Sequence, residues 1–293
     1  MDNLRGIALM VASMLGFALE DMFIKSSAHS LPPGQVLVII GTAGTVIFWA
    51  YARLRGERFF VREMAHPLML MRIAGEVIGD ACFIFALTVL PLAMVSAVLQ
   101  AMPLAVTLGA AVFLAAPVGW RRWAAILIGF VGVLVVIRPG TDGFSAVAIL
   151  PVIAVLALAA RDLCTRIAPV HVSSIVLSGW GFSGAALAGV VLLPFGTTPT
   201  WPGTGASLAM AGAVLCGVLA YYALTAAMRV GDVATVTPFR YARLIFAILI
   251  GIVVFGEIPD RWTLVGGAII IGSGLYTFAR ERRLARQTPP LQT

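Results

Sequence analysis

The chain has 293 residues, of which 60% are hydrophobic and 11% are charged, and its mean hydropathy is +1.01. A soluble domain carries roughly 25% charged residues, so this composition excludes an ordinary soluble domain and indicates an integral membrane protein. The net charge of +7 does not indicate nucleic-acid binding, because the basic residues follow a membrane topology.

Ten apolar runs follow one another along the chain, each long enough to cross a hydrocarbon core of ~30 Å. They predict an all-α integral membrane protein with ten transmembrane helices, over residues 4–24, 34–54, 67–90, 92–116, 120–138, 144–163, 171–193, 205–228, 233–256 and 261–280. The first run is too long for the apolar segment of a secretory signal peptide, so we interpret it as the first helix. Pro103 and Pro238 lie within two of the runs and predict bends there.

The basic residues are divided unevenly between the two sides that these helices define. With a cytoplasmic N-terminus, the outer side holds only Lys25, Arg138 and Arg261. The cytoplasmic helix ends and loops hold Arg5, Arg53, Arg55, Arg58, Arg62, Arg72, Arg121, Arg122, Arg166, Arg229, Arg280, Arg282, Arg283 and Arg286. This bias follows the positive-inside rule. It predicts a multi-pass protein of a bacterial-type cytoplasmic (inner) membrane with both termini in the cytoplasm.

The two halves of the chain repeat each other with a shift of 141 residues. The stretch 17-FALEDMFIK-25 closes the first helix, and 158-LAARDLCTR-166 closes the sixth in the same register. Five helices per half is an odd number, so the second copy must cross the membrane in the opposite direction. Such inverted repeats typically provide alternating access to a site at the membrane midplane. We therefore predict one repeat over 1–141, an inverted repeat over 142–280 and a cytoplasmic tail over 281–293.

Some charged residues in the predicted spans are repeated between the halves. Asp21 and Lys25 lie four residues apart with the acid first, which favours an ion pair along a helix. Asp162 and Arg166 occupy the matching positions in the second half. Because both pairs are conserved between the two copies of one scaffold, we expect them to be structural ion pairs.

The other charged residues in the spans are not repeated. The first half contributes the acids Glu20, Glu76 and Asp80, whereas the second contributes the bases Arg161, Arg240 and Arg243. Charge within a membrane is expensive and marks functional sites, so we predict that these six residues and Tyr241 bind substrate. Facing acidic and basic walls suit a zwitterion. The alternative is that the six form ion pairs that lock or gate the halves, and Glu76 and Asp80, four apart on one helix, could share a proton.

The organisation resembles the EamA branch of the drug/metabolite transporter superfamily over nearly the whole chain. The similar stretches are GFALEDMFIK at 16–25, PFRYARLIFAILIGIVVFGEIPDRWTLVGG at 238–267 and the following GSGLYTFARER. FGEIPD is similar to a Gly-Glu turn of this family, but the first half has Ala116 at the position of Glu257. The resemblance implies a central cavity, with riboflavin or S-adenosylmethionine as the nearest cargo types.

These observations predict a secondary active or facilitative transporter of a small polar metabolite, such as riboflavin, S-adenosylmethionine or an amino-acid-like zwitterion. The alternatives are an exporter of amino acids or quaternary amines, a channel and a membrane-embedded enzyme. The chain has no HExxH, GxSxG, Walker lysine or CxxC motif, so we predict no catalytic residues, metal or cofactor. The expected partners are the substrate and the bilayer, and small-residue helix faces leave a homodimer open.

Overall fold

The computed structural model describes residues 2–28, 30–113, 119–140, 145–167, 172–230 and 236–287. Within these ranges the regular structure is helical and contains no strand. The helices are α1 (Asp2–Ser27), α2 (Pro33–Leu54), α3 (Pro67–Val89), α4 (Leu92–Leu99), α5 (Met102–Phe113), α6 (Trp120–Ile137), α7 (Leu150–Ile167), α8 (Ser174–Leu192), α9 (Thr204–Val230), α10 (Ala242–Phe255) and α11 (Arg261–Gln287). The predicted all-α membrane fold is confirmed.

Nine helical segments of the described residues are long and apolar enough to cross a membrane. One of these segments, Leu92–Phe113, combines α4 and α5. The tenth predicted span is α3, which has 23 residues but carries three charged side chains, Arg72, Glu76 and Asp80. Two of the charges that lower its apolar character, Glu76 and Asp80, are therefore predicted site residues.

Prolines interrupt two of the predicted spans, as the sequence indicates. The span predicted over 92–116 is divided between α4 and α5 just before Pro103. Pro238 lies in a 3-10 turn, Thr237–Tyr241, which precedes α10. Proline lacks a backbone donor and clashes with the preceding helical turn, which accounts for the break before α5 and for the 3-10 turn before α10. The remaining parts of these two spans, 114–116 and 233–235, lie outside the described residues.

The 141-residue shift reappears in the helix boundaries and at the symmetry axis. α2 and α8 begin at Pro33 and Ser174, and α6 and α11 begin at Trp120 and Arg261, so both pairs of helices keep the shift. Gln100 donates from Nε2 to the carbonyl oxygen of Tyr241 at 3.0 Å, and this pair is also separated by 141 residues. Symmetry mates that touch must lie beside the axis. The pseudo-two-fold axis therefore passes between Gln100 and Tyr241.

The halves pack against each other through four main helix pairs. α1 packs on α9 and α3 packs on α7, and these two contacts exchange under the repeat symmetry. α2 packs on its own mate α8, and α6 on its own mate α11. A Cβ added at Gly41 of α2 would lie 2.2 Å from the backbone nitrogen of Ala186, so small residues permit this close approach. Homodimer formation stays a prediction.

Candidate substrate site

A buried ion network joins α3 to α7 and α8. Arg161 Nη1 lies 2.5 Å from Glu76 Oε1, and Arg72 Nη2 lies 3.7 Å from Glu76 Oε2. Arg72 also donates from Nε to Thr165 Oγ1 at 2.9 Å and from Nη2 to the carbonyl oxygen of Leu177 at 3.0 Å. Only 2% of the Arg72 side chain is exposed. The network therefore links three helices through charges that are removed from solvent.

Sequence reasoning missed Arg72 as a member of this site. The loop-charge pattern assigns it to a cytoplasmic helix end, but it lies inside the bundle. Its spacing of four residues from Glu76 is the signal that could have found it. Arg161 also donates to Asp162 Oδ1, from Nε at 3.0 Å and Nη2 at 2.9 Å. The side chain of Arg166, the predicted partner of Asp162, lies outside the described residues.

Asp21 forms an ion pair with the second half of the chain rather than with Lys25. Arg243 Nη2 lies 2.7 Å from Asp21 Oδ2, and only 2% of the Asp21 side chain is exposed. The Arg243 guanidinium also lies over the rings of Phe17 and Phe83, at 5.3 and 5.7 Å from their centroids. The predicted Asp21–Lys25 pair is wrong in its partners, because a cation from α10 reaches the Asp21 carboxylate instead.

Lys25 and Glu257 form a clasp at the end of the bundle where α1, α3 and α10 finish, hereafter the Lys25 end. Lys25 Nζ lies 2.5 Å from Glu257 Oε1 and donates to the carbonyl oxygen of Leu90 at 2.6 Å. Glu257 Oε2 accepts from the backbone nitrogen of Leu92 at 2.8 Å. Gly256 has a φ of +64°, so it ends α10 in a left-handed turn and directs Glu257 toward this position.

Three predicted site residues form no hydrogen bond or ion pair with another described residue: Glu20, Asp80 and Arg240. All three are partly exposed rather than fully buried. Glu20 is close enough to Asp80 and to Arg243 to interact electrostatically with both. Arg240 interacts in the same way with Arg243 and with Asp162. Asp80 also interacts electrostatically with Glu76, Arg161 and Arg72. The three charges therefore lie near both the Asp21–Arg243 pair and the Glu76 network.

Symmetry-related positions of the α3–α7 and α1–α9 contacts carry different side chains. Glu76 faces Arg161 in the first contact, and the repeat mates of these two residues are Gly217 and Glu20. Gly217 does lie against Glu20, because a Cβ added to it would be 2.4 Å from Glu20 Oε1. The mate of Arg72 is Ala213, which is fully buried. One contact therefore holds an ion network, whereas at the equivalent positions Glu20 has no ion-pair partner among the described residues.

Tyr241 has its ring packed against α11, although it is close enough to Arg240 to interact electrostatically with it. Only 5% of the residue is exposed, and a Cβ added at Gly274 would lie 1.7 Å from its hydroxyl oxygen. The phenol therefore fills the space that this glycine leaves. This position favours a packing role over the predicted substrate contact.

The two cavities that we describe lie outside the charged cluster. A crevice of about 840 Å³ runs between α2 and α9 beneath the loop at 199–202, and its lining is mainly apolar. A smaller one, of about 390 Å³, lies between α6 and α11. Neither crevice is lined by a predicted site residue. In this conformation several central charges contact one another.

An inverted pair of apolar helix bundles with charges concentrated at their interface defines a multi-pass membrane transporter. Two segments of the chain, residues 4–138 and 145–279, each match the EamA-like transporter family. The protein therefore belongs to the EamA-like transporter family, within the drug/metabolite transporter superfamily.

Curated relatives of this chain include transporters named for riboflavin and for S-adenosylmethionine. It is 28% identical over 293 residues to a riboflavin transporter of Vibrio cholerae, covering 97% of this chain and 96% of the relative. It is 32% identical over 228 residues to a riboflavin transporter of Rhizobium johnstonii, covering 74% and 72%. It is 27% identical over 282 residues to an S-adenosylmethionine uptake transporter of Rickettsia felis, covering 96% and 94%.

Proposed function

We propose that the protein is a secondary active or facilitative carrier that moves a small polar metabolite across a bacterial inner membrane by alternating access. The observation that carries the proposal is the unequal charge at the symmetry-related contacts, Glu76 with Arg161 and Gly217 with Glu20. Inverted repeats offer two equivalent openings to one site. Polar groups that break the symmetry give an asymmetric cargo one preferred orientation in that site.

The clasp of Lys25 and Glu257 closes one opening in this proposal. It joins the end of α1 and the turn after α10 to the backbone between α3 and α4, through Leu90 and Leu92. Separating these segments would expose the central charges to the Lys25 end. The arginine distribution supports the proposal that this end faces the outside of the cell, with both termini in the cytoplasm.

The names of the relatives supply two cargo candidates, riboflavin and S-adenosylmethionine. Both are small polar molecules that need a wet or charged path across the apolar core. An enzyme is not favoured, because these relatives are named as transporters. A channel is not favoured either, because a static pore gains nothing from inverted halves.

Uptake into liposomes that contain the purified protein tests the proposal. We expect saturable uptake of labelled riboflavin or S-adenosylmethionine that the unlabelled compound competes away, with and without a pH gradient. Arg240→Ala should abolish uptake, whereas Glu63→Gln, which lies in the turn before α3, should not. Uptake no greater than in empty liposomes for every small metabolite tested, with a folded protein, would overturn the carrier role. Fluxes far above carrier rates would indicate a channel instead.

A further inference from the structure

Ion pairing divides the charged interior of the described bundle into a balanced part and an unbalanced part. In the balanced part, Asp21 neutralises Arg243. The other members of this part form a network of two acids and two bases: Glu76, Asp162, Arg72 and Arg161. The balanced part therefore has no net charge with which to attract an ion.

The unbalanced part consists of Glu20, Asp80 and Arg240. Together they bring two negative charges and one positive charge, and none forms a close ion pair with a described residue. Opposite charges do lie within electrostatic reach, since Glu20 interacts with Arg243, Asp80 with Arg161 and Arg72, and Arg240 with Asp162. A charged side chain in the bilayer interior is expensive unless a partner or water compensates it. Glu20 and Asp80 also repel each other, since they are close enough to interact. A bound molecule with two positive charges and one negative charge would reduce the cost of burying these side chains and the repulsion between Glu20 and Asp80.

On the basis of the proposed carrier function, we infer that the cargo is a zwitterion with two cationic centres and one carboxylate. Its cationic centres are held by Glu20 and Asp80, and its carboxylate by Arg240. A neutral cargo would give none of the three side chains an ionic contact. A polycarboxylate would add repulsion at the two acids. Of the cargo types that the relatives' names suggest, S-adenosylmethionine has this pattern, with a sulfonium, an ammonium and a carboxylate, and riboflavin does not.

Gly217 provides the space that this recognition needs beside Glu20. A larger residue there would displace the Glu20 carboxylate, because an added Cβ would lie 2.4 Å from Oε1 and 3.1 Å from Oε2. In the equivalent contact, Arg161 occupies the place of Glu20 and is already neutralised by Glu76. Of these two symmetry-related positions, only the one in the α1–α9 contact therefore keeps an acid available for a cation.

Binding of two matched ligands to the purified full chain in nanodiscs tests the inference without requiring transport. S-adenosylmethionine and S-adenosylhomocysteine share the ammonium, the carboxylate and the adenosine, but only the first has a cationic sulfur. We expect S-adenosylmethionine to bind roughly tenfold or more tightly, because hydrogen bonds and contacts to charged groups have about this effect. Riboflavin should bind more weakly than either.

Variants assign the three charges to the cargo groups. Glu20→Gln and Asp80→Asn should each reduce the preference for S-adenosylmethionine over S-adenosylhomocysteine. Arg240→Gln should weaken both ligands by a similar factor, since both have the carboxylate. Glu63→Gln serves as a matched control that removes an acid outside the membrane-spanning helices and should change neither affinity.

The ligand comparison uses the unmodified chain, so it does not depend on whether a variant folds. Equal affinity for S-adenosylmethionine and S-adenosylhomocysteine, or tighter binding of riboflavin, would overturn the inference. Saturable riboflavin uptake without S-adenosylmethionine binding would keep the carrier role and remove only the charge assignment. Selective S-adenosylmethionine binding without uptake of any solute would instead support the charge assignment and remove the carrier role.

Discussion

The α3–α7 and α1–α9 contacts are symmetry mates with the same backbone arrangement and different chemistry. The first contact buries Glu76 between two arginines, Arg72 and Arg161. The second has Ala213 and Gly217 at the positions of Arg72 and Glu76, and a single acid, Glu20. One fold thus supports an ion network on one side of the axis and a partly exposed carboxylate on the other.

This difference separates two uses of charge in the same bundle. Buried ion pairs fix the relation of neighbouring helices, and removal of one partner leaves the other charge uncompensated. A partly exposed charge without a protein partner contributes little to folding but remains available to a ligand. We therefore expect substitutions in the first contact to change mainly stability, and substitutions in the second to change mainly transport.

Arg161→Met should have the largest effect on stability, because it leaves the Glu76 carboxylate buried without its 2.5 Å partner. Breaking a buried pair in this way costs about 3–5 kcal/mol. Thermal unfolding of the purified protein in detergent would show the loss. The double variant Arg161→Met with Glu76→Leu should recover only part of it, because the buried Glu76 acid is gone but Arg72 and Asp162 lose their contacts with Glu76 and Arg161. If Arg161→Met alone were as stable as the parent chain, the α3–α7 ion network would not be needed for stability.

Glu257→Gln should have the next largest effect, on the closure of the Lys25 end. Glutamine keeps an acceptor for Leu92 but loses the ionic contact with Lys25. Bonds to charged groups contribute about 1.5–3 kcal/mol, so the open form should become at least roughly tenfold more populated. Labelling of Leu90→Cys by an impermeant thiol reagent, in a chain with Cys82, Cys164 and Cys216 replaced by serine, measures this opening.

The positions equivalent to the Lys25–Glu257 clasp at the other end of the bundle carry different residues. The repeat mate of Glu257 is Ala116, and the mate of Lys25 is Arg166. The acid of the clasp is therefore present in only one of the two repeats. Labelling at Leu90→Cys that does not change with Glu257→Gln would show that the clasp does not control access from the Lys25 end.

Gly217→Ala should separate stability from transport in the second contact. The new methyl group would lie 2.4 Å from Glu20 Oε1, but this atom is at the end of a flexible side chain and can move. We expect a stability change within about 1 kcal/mol, as for surface or adjustable sites, and a severalfold loss of uptake because the carboxylate is displaced. Unfolding and liposome uptake measured on one preparation test both. Unchanged uptake would argue against Glu20 as a cargo contact.

Much of the fold followed from the sequence. Helix number comes from apolar run length, and the 141-residue shift between the starts of α6 and α11 shows that the repeat register is correct. The breaks near Pro103 and Pro238 follow from the missing backbone donor. The limits of α1 and α11 were less predictable, because helices can continue past the apolar segment: α11 extends to Gln287.

The partners of the charged residues could not be derived from the sequence. Spacing along a helix suggested Asp21 with Lys25, but the shortest contacts join different helices, Asp21 to Arg243 and Lys25 to Glu257. Such contacts depend on how helices are rotated about their axes, and neither periodicity nor composition determines this rotation. The same limit explains why Tyr241 was assigned to the cargo site, although its ring packs on Gly274.

The symmetry mates α6 and α11 also differ in charge, here at surface positions before their first residues. Removing this charge should have the smallest effect on stability of the substitutions discussed. Asp260 precedes α11, accepts from the backbone nitrogen of Thr263 at 2.7 Å and pairs with Arg138. Its repeat mate is Gly119, which precedes α6 without a side-chain cap. Partial burial raises the pKa of Asp260, but the Thr263 hydrogen bonds and the Arg138 charge outweigh it and hold the pKa below 3.8.

Asp260→Asn should therefore lower stability only where the carboxylate is ionised. A depressed folded pKa contributes stability above the unfolded value of 3.8, and this stability is lost as the pH falls through the lower folded value. Exposed ion pairs contribute about 0.2–1 kcal/mol, so the melting temperatures should differ slightly near neutral pH and converge at strongly acidic pH. Added salt should reduce the difference. A difference that persisted when Asp260 is protonated would mean that the asparagine disturbs the helix cap itself, and the charge asymmetry between α6 and α11 would then have no role in stability.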